Sequence, residues 1–256
     1  MVAYFGAEKK FETAAEEVDG FHAVTEENER GPKISEIIHY NKGAYTSRGS
    51  HMETGSGSIQ VLMDLVHLKK PSVILLFEIM IPNNKVEIIR TKLGYEGLFT
   101  VDRNGHGGGI AILWKIKDMI QLLSYSDNHI NVLVHLRDVD SWRLTGFYGF
   151  LERCKRCQSW DLIRSLYKQS SLPWCCIGDF NDLLNPSEKR GSIEHPQWLL
   201  SGFRTAIDDC YLWDLGICGY PFTWERGRGT ENWVEERLDR AFASQTWLAL
   251  FPNCRV

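Results

Sequence analysis

The residues best suited to chemistry in this sequence stand at the ends of short apolar runs. Trp174-Cys175-Cys176-Ile177 leads into Gly178-Asp179-Phe180-Asn181. A buried strand there delivers a carboxylate and a carboxamide to a loop, and Gly178 permits a tight backbone path. Asp179 can orient or deprotonate a water. Asn181, two residues on, can hold a phosphate oxygen or the Asp179 carboxylate. Gly, Asp and Asn are also common turn formers, so the tetrapeptide alone fits a plain strand-to-turn ending equally well. Glu78 closes the run Val73-Ile74-Leu75-Leu76-Phe77. A carboxylate beside such a run is costly to bury unpaired. A divalent metal would pair it, since Mg2+ takes one or two carboxylates and completes its shell with water and phosphate oxygens; a strand-end glutamate facing solvent is the competing reading. Tyr148, in Thr145-Gly146-Phe147-Tyr148-Gly149, can offer its hydroxyl to a phosphoryl oxygen or serve as a rim aromatic. Asp239, in Arg237-Leu238-Asp239-Arg240, alternates with Leu238 and projects with Arg237, either into a site or into a surface ion pair.

Strands and helices must position these groups. Ile59, Leu62, Met63 and Val66 recur at helical spacing behind Ser58 as N-cap, and Pro71 closes that helix. Val73 to Phe77 is apolar throughout and reads as a strand buried on both faces. Gly108 to Lys115, Met119 to Tyr125, His129 to Leu136 and Trp142 to Tyr148 read as four more strands. A helix spans Arg156 to Gln169, with Trp160, Ile163 and Tyr167 on one face. The strand Trp174–Ile177 follows, then a helix from Gln197 to Ile207. Phe222 to Trp224 and Arg237 to Ala243 read as strands, and Ser244 to Phe251 as a terminal helix. Clustered strands interrupted by helices predict packed sheets with helices outside, an α/β fold. Residues 1–57 differ: polar, poorly periodic and Gly/Ser-rich towards their end. They read as a mostly disordered leader with a short helix near residues 7–18. The domain is expected over residues 58–256.

The 256 residues are 43% hydrophobic and 24% charged, which excludes a wholly disordered, collagenous or coiled-coil chain. The longest clean apolar run stops at Glu78, too short to span a bilayer, so no membrane partner is expected. A net charge of -4 gives no global basic signature, so any nucleic-acid partner needs a local patch and a metal to handle phosphate charge. Seven cysteines, an odd number in a chain this long, favour a reducing compartment over a disulfide scaffold. Cys154-Lys155-Arg156-Cys157 has no second ligand pair, so it does not read as a zinc site. Gly105-His106-Gly107-Gly108-Gly109 lacks a Walker lysine and reads as a strand-entry turn.

Taken together, Glu78, Tyr148, Asp179-x-Asn181 and Arg237-Leu238-Asp239 resemble, in order and spacing, the endonuclease/exonuclease/phosphatase superfamily. The segments Gly107 to Lys115, Trp142 to Gly149, Leu172-Pro173-Trp174, Ile177 to Asn181, Glu188-Lys189, Phe222-Thr223-Trp224 and Glu236 to Ala241 are most similar to one branch of it. That branch is the apurinic/apyrimidinic-like endonuclease domain of plant LINE-type (non-LTR) retrotransposons. The resemblance runs from about Ser58 to Val256.

It implies a four-layer α/β sandwich, two mixed sheets face to face with helices outside, and an active site where strand ends meet at one edge. It implies that Glu78 ligates Mg2+ (or Mn2+), that Tyr148 steadies the phosphate, that Asp179 activates the attacking water with help from Asn181, and that Asp239 orients a catalytic histidine. The implied reaction is hydrolysis of a phosphodiester in DNA by a monomer, in the nucleus if DNA is the substrate. The sequence also departs from the pattern. Family members begin with a strand ending in Trp-Asn and finish with a strand carrying Ser-Asp-His. The first slot holds Arg48-Gly49-Ser50-His51-Met52-Glu53, and the last segment is Phe251-Pro252-Asn253-Cys254-Arg255-Val256. The expectation is therefore a domain truncated at both ends, lacking its first and last strands, and weak or inactive. The glutamate is followed by Ile79 where the family usually has Thr, and Phe150-Leu151 replaces an expected proline. The alternatives are a non-catalytic, nucleic-acid-binding retroelement remnant and a small-molecule phosphatase of the same superfamily. His106, His129, His135 and His195 lie outside any Ser-Asp-His context.

Overall fold

The structure, a computed structural model, describes residues 2–5, 56–102, 108–252 and 254. In chain order the elements are β1 (Val2–Phe5), α1 (Ser56–Lys69), β2 (Val73–Ile79), α2 (Asn83–Leu93), β3 (Gly97–Val101), β4 (Gly109–Trp114), β5 (Ile120–Ser126), β6 (His129–Leu136) and β7 (Val139–Tyr148). There follow α3 (Arg156–Lys168), β8 (Trp174–Asp179), β9 (Lys189–Arg190), α4 (Gln197–Asp209), β10 (Leu212–Asp214), β11 (Trp224–Arg226), β12 (Val234–Glu236), β13 (Asp239–Ser244) and α5 (Gln245–Leu250). One sheet has the order β1-β2-β4-β3, a second the order β10-β13-β8-β7-β6-β5, and a small third sheet the order β11-β12-β9.

Alternating apolar residues on the strands explain the four layers. Leu75 and Phe77 of β2, Ile110 and Ile112 of β4, Leu144 of β7, Ile177 of β8 and Ala241 of β13 face one another between the two large sheets. The intervening residues turn outwards. Ile74, Leu76, Ala111 and Leu113 meet Leu62 and Val66 of α1 and Val86 and Ile89 of α2. On the opposite outer face Phe147, Cys176 and Phe242 meet Trp160 and Ile163 of α3 and Leu199 and Phe203 of α4. A strand buried on both faces has no polar side to spare, which is why β2, β4 and β8 read as unbroken apolar runs.

Several expectations are corrected. The four-stranded sheet is not mixed, since all three of its pairings are antiparallel. The six-stranded sheet is mixed, because β7 and β8 run parallel. The leader region contributes a strand after all: β1 pairs antiparallel with β2, with Val2 opposite Leu76 and Phe5 opposite Val73. Its direction carries its C-terminal end, Phe5, away from Glu78. The first helix begins at Ser56, not behind Ser58, and Lys70 at φ 48° with Pro71 ends it. The run Phe222–Trp224 enters β11 only at Trp224, and Arg237–Ala243 forms β13 only from Asp239. α2 and β3 were not anticipated. The expected helix at 7–18, the tract at Arg48–Met52 and the turn at Gly105–Gly107 lie outside the described residues. No helix among the described residues is long and apolar enough to cross a membrane.

Candidate active site

Strand register brings three of the anticipated residues side by side. Tyr148, the last residue of β7, pairs with Asp179, the last of β8. Asp179 pairs in turn with Asp239, the first of β13. Glu78 approaches from the facing sheet, and the Tyr148 hydroxyl donates to Glu78 Oε1 at 3.3 Å. The four therefore occupy one edge of the sandwich, where both sheets end.

Local constraints fix each group. A Cβ on Gly178 would stand 1.8 Å from the Phe147 carbonyl oxygen, so only glycine lets β7 and β8 approach closely enough to align Tyr148 with Asp179. Beyond β8 the chain turns through Asn181 at φ 54°. Its backbone N–H donates to Asp179 Oδ1 at 2.8 Å, and its Nδ2 donates to the Gly149 carbonyl at 3.0 Å. Asn181 thus steadies Asp179 through its backbone, while its carboxamide nitrogen ties the β8 exit to the β7 exit. Asn128, at the β5–β6 turn, donates through Nδ2 to the Tyr148 carbonyl at 2.7 Å and accepts the Tyr148 N–H at 2.8 Å.

Asp239 is set by its backbone. Thr223 Oγ1 accepts the N–H groups of Leu238 at 2.9 Å and Asp239 at 3.0 Å. Beside it lies an enclosed ion network. Arg240, with no exposed side-chain surface, pairs with both oxygens of Glu188 and with Asp214 Oδ2 at 2.8 Å. Arg237 pairs with Asp214 Oδ1 at 2.8 Å. Removing one member of such a network costs roughly 3–5 kcal/mol, because the partner charge stays buried.

Glu78 lies exposed at the mouth, past a bulge between Leu76 and Ile79 in the β2–β4 pairing. Its φ of 56° is left-handed, a conformation that costs an L-residue roughly 1–2 kcal/mol. Gly108 packs directly on its backbone: a Cβ there would stand 2.1 Å from Glu78 Cα.

The charges are frustrated. Asp179 is half-buried, and burial pushes its carboxyl well above the usual carboxylate range. The negative charge of Asp239 adds to this, the Asn181 N–H opposes it, and Glu78 raises it further. Burial, then Glu78, Asp179 and Asp239 raise the Tyr148 hydroxyl, which stays a neutral donor. Such a site has the right charge for a divalent cation. Among the described residues no three His, Cys, Asp or Glu side chains lie close enough to cage a metal by themselves. Mg2+ needs no such cage, and the exposed Glu78 carboxylate beside Tyr148 fits its preference for one or two carboxylates with water and phosphate.

Residues 53–254 match the Endonuclease/Exonuclease/phosphatase family. This chain belongs to that family. Solved structures share its fold. One is the endonuclease domain of TRAS1, a telomere-specific non-LTR retrotransposon: TM-score 0.52, 12% identity, 76% of this chain and 83% of that chain covered. A second is the 3' phosphatase NExo from Neisseria, bound to product DNA hairpin: TM-score 0.55, 16% identity, coverage 75% and 83%. A third is an AP endonuclease from Archaeoglobus fulgidus: TM-score 0.52, 16% identity, coverage 73% and 81%. No curated protein matches the chain in sequence at a significant level.

In this family member, Glu78, Tyr148, Asp179 and Asp239 converge, and Asn181 stands directly behind them. The four described histidines have partners elsewhere. His67 bonds the Met63 carbonyl, His129 lies between Ser124 and Ser126, His135 bonds Ser141, and His195 faces Asp182. The sequence reading assigned no role to Thr223, Asn128 or the Glu188–Arg240–Asp214 network. Thr223 and Glu188 stood within segments that carried the resemblance, but Asn128 gave no signal, because a turn asparagine is commonplace.

Proposed function

We propose that this chain is a divalent-cation-dependent phosphodiester hydrolase acting on DNA, of the LINE-type retroelement endonuclease branch, and that it turns over slowly. The observation that carries this reading is the register of Tyr148, Asp179 and Asp239 on adjacent strand ends, with Glu78 facing them across the sandwich. Mg2+ or Mn2+, when bound, would neutralise charge developing on the phosphate. Glu78 would hold it. Tyr148, a neutral donor, offers its O–H to a phosphate oxygen. Asp179, with its raised proton affinity, orients the attacking water and accepts its proton, a task suited to a carboxyl above its usual range. Asp239 fixes the charge next to Asp179. Slow turnover is proposed because each described histidine is engaged away from these residues, so none of the described histidines stands where it would protonate the leaving group.

Nicking of supercoiled plasmid by the purified monomer, in Mg2+ and in EDTA, tests this beside Asp179→Ala and Glu78→Ala. Metal-dependent nicking lost in both variants is expected. Nicking that survives in Asp179→Ala would sink the assignment, and an inositol phosphate cleaved faster than DNA would replace the endonuclease reading with a small-molecule phosphatase. DNA retained without any cleavage would favour a non-catalytic binding protein.

A further inference from the structure

The chain leaves β8 without a ladder to hold it. The N–H of Phe180 still reaches the Leu238 carbonyl at 2.9 Å. Beyond it, carboxylates take over: the Asn181 N–H bonds Asp179, the Leu183 N–H bonds Asp182 Oδ1 at 3.1 Å, and the Leu184 N–H bonds Glu188 Oε2 at 2.7 Å. Asp182 is the middle one. It is 1% exposed, and no role was read for it from the sequence.

Side chains from two directions meet this carboxylate. Trp160 of α3 donates its indole N–H to Oδ2 at 3.0 Å. His195, in the segment before α4, brings Nε2 within 3.3 Å of Oδ1 with its own side chain 7% exposed. Burial at the start of α3 pushes the Arg156 guanidinium down, and the negative charge of Asp182 opposes this. Arg156 is held in turn by its Nη2 donating to the Leu151 carbonyl at 3.0 Å, in the loop that leaves β7. Burying a carboxylate is expensive unless it is hydrogen-bonded, and Asp182 accepts the Trp160 indole N–H and the Leu183 N–H. The cluster therefore fixes where the chain stands immediately after Asn181, whose left-handed turn has no ladder of its own.

We propose that Asp182 is a positioning residue for the Asp179–Asn181 segment, anchored by the Trp160 indole N–H and the Leu183 N–H and enclosed on its far side by His195. It holds the Asn181 turn so that the Asn181 N–H stays on Asp179 and the Asn181 carboxamide stays on Gly149. The catalytic consequence rests on the phosphodiesterase reading above; the geometric one does not.

Two variants test it. Trp160→Phe removes the indole N–H and keeps an aromatic ring in place. Asp182→Asn keeps the shape and an acceptor but removes the charge. Amide exchange of metal-free protein, followed by NMR, should show the Asn181 and Leu183 N–H groups exchanging about tenfold faster in both variants, with Val132 in β6 unchanged. In Mg2+, kcat for plasmid nicking should fall about tenfold while KM stays within twofold. If all core amides speed up together and kcat per folded molecule is unchanged, Asp182 is merely structural and the proposal is overturned. Should Asp182→Asn fail to fold, Trp160→Phe decides alone. If the parent chain does not nick DNA, the functional reading fails, and unchanged Asn181 exchange in the variants would still refute the positioning role.

Discussion

Glu78 gives the sharpest test, because its backbone and its carboxylate make opposite demands. Its φ of 56° belongs to the left-handed region, and Gly108 occupies the space into which the backbone would relax. At an ordinary strand end, alanine is more stable than glycine by roughly 0.5–1 kcal/mol, because glycine has more conformational freedom to lose. At position 78 alanine carries the left-handed penalty of roughly 1–2 kcal/mol, and glycine does not. The difference favours Glu78→Gly over Glu78→Ala by up to about 1.5 kcal/mol. For a domain of this size that corresponds to a Tm higher by up to about 6 °C. Both variants lose the carboxylate, so both should lose metal-dependent nicking. Calorimetry of the two in EDTA at neutral pH reads the first effect, and the plasmid assay reads the second. Glu78→Ala melting above Glu78→Gly would refute the strained conformation. The aim of the carboxylate at Tyr148 would then need another cause.

Two further tests concern titration. The Asp179 carboxyl is raised in the folded protein, so the native state binds more protons than the unfolded one between the usual aspartate value and the raised one. The stability this contributes is full below about pH 4 and is lost as pH rises through the folded value. Metal-free protein should therefore lose Tm across that range, and Asp179→Asn should remove that part of the slope and melt higher at neutral pH; identical slopes in EDTA would contradict the charge crowding. Burial pushes His129 down to about 4, its ring held between the hydroxyls of Ser124 and Ser126. Here the unfolded state binds the extra proton, so stability is lost as pH falls below about 6.5 towards 4. NMR of the ring should show His129 still neutral at pH 5, and a ring already protonated there would show that the cluster opens in solution.

Glu78, Tyr148 and Asp179 were legible in the sequence because each ends a run of apolar residues, and such a run marks a strand whose end must emerge from the core. Asp239 was legible for a related reason, alternation with Leu238 ahead of Ala241 and Ala243. What alternation cannot disclose is which strand ends meet. That depends on register: β7 parallel to β8 and β8 antiparallel to β13 place Tyr148, Asp179 and Asp239 in one row. α2 escaped notice because its buried face is only Val86 and Ile89 on a polar helix, too few residues to establish a period. β1 escaped because four residues followed by a long polar stretch give no hint that they pair with Val73 to Leu76.

The supporting layer was hidden for a different reason. Arg240, Glu188, Asp214, Asp182 and His195 look like solvated charges when read along the chain. Their partners lie up to 52 residues away, and only the folded structure turns them inwards. The division has a physical logic. Groups that face a substrate must leave the core at strand ends, so the hydrophobic pattern points to them. Groups that hold them in place are buried polar residues, and their burial is made tolerable by partners that pattern does not encode. A substitution at Asp182 or Arg240 should therefore look innocuous in the sequence and be costly in the protein, whereas Glu78→Gly should cost little stability and abolish the proposed metal-dependent nicking.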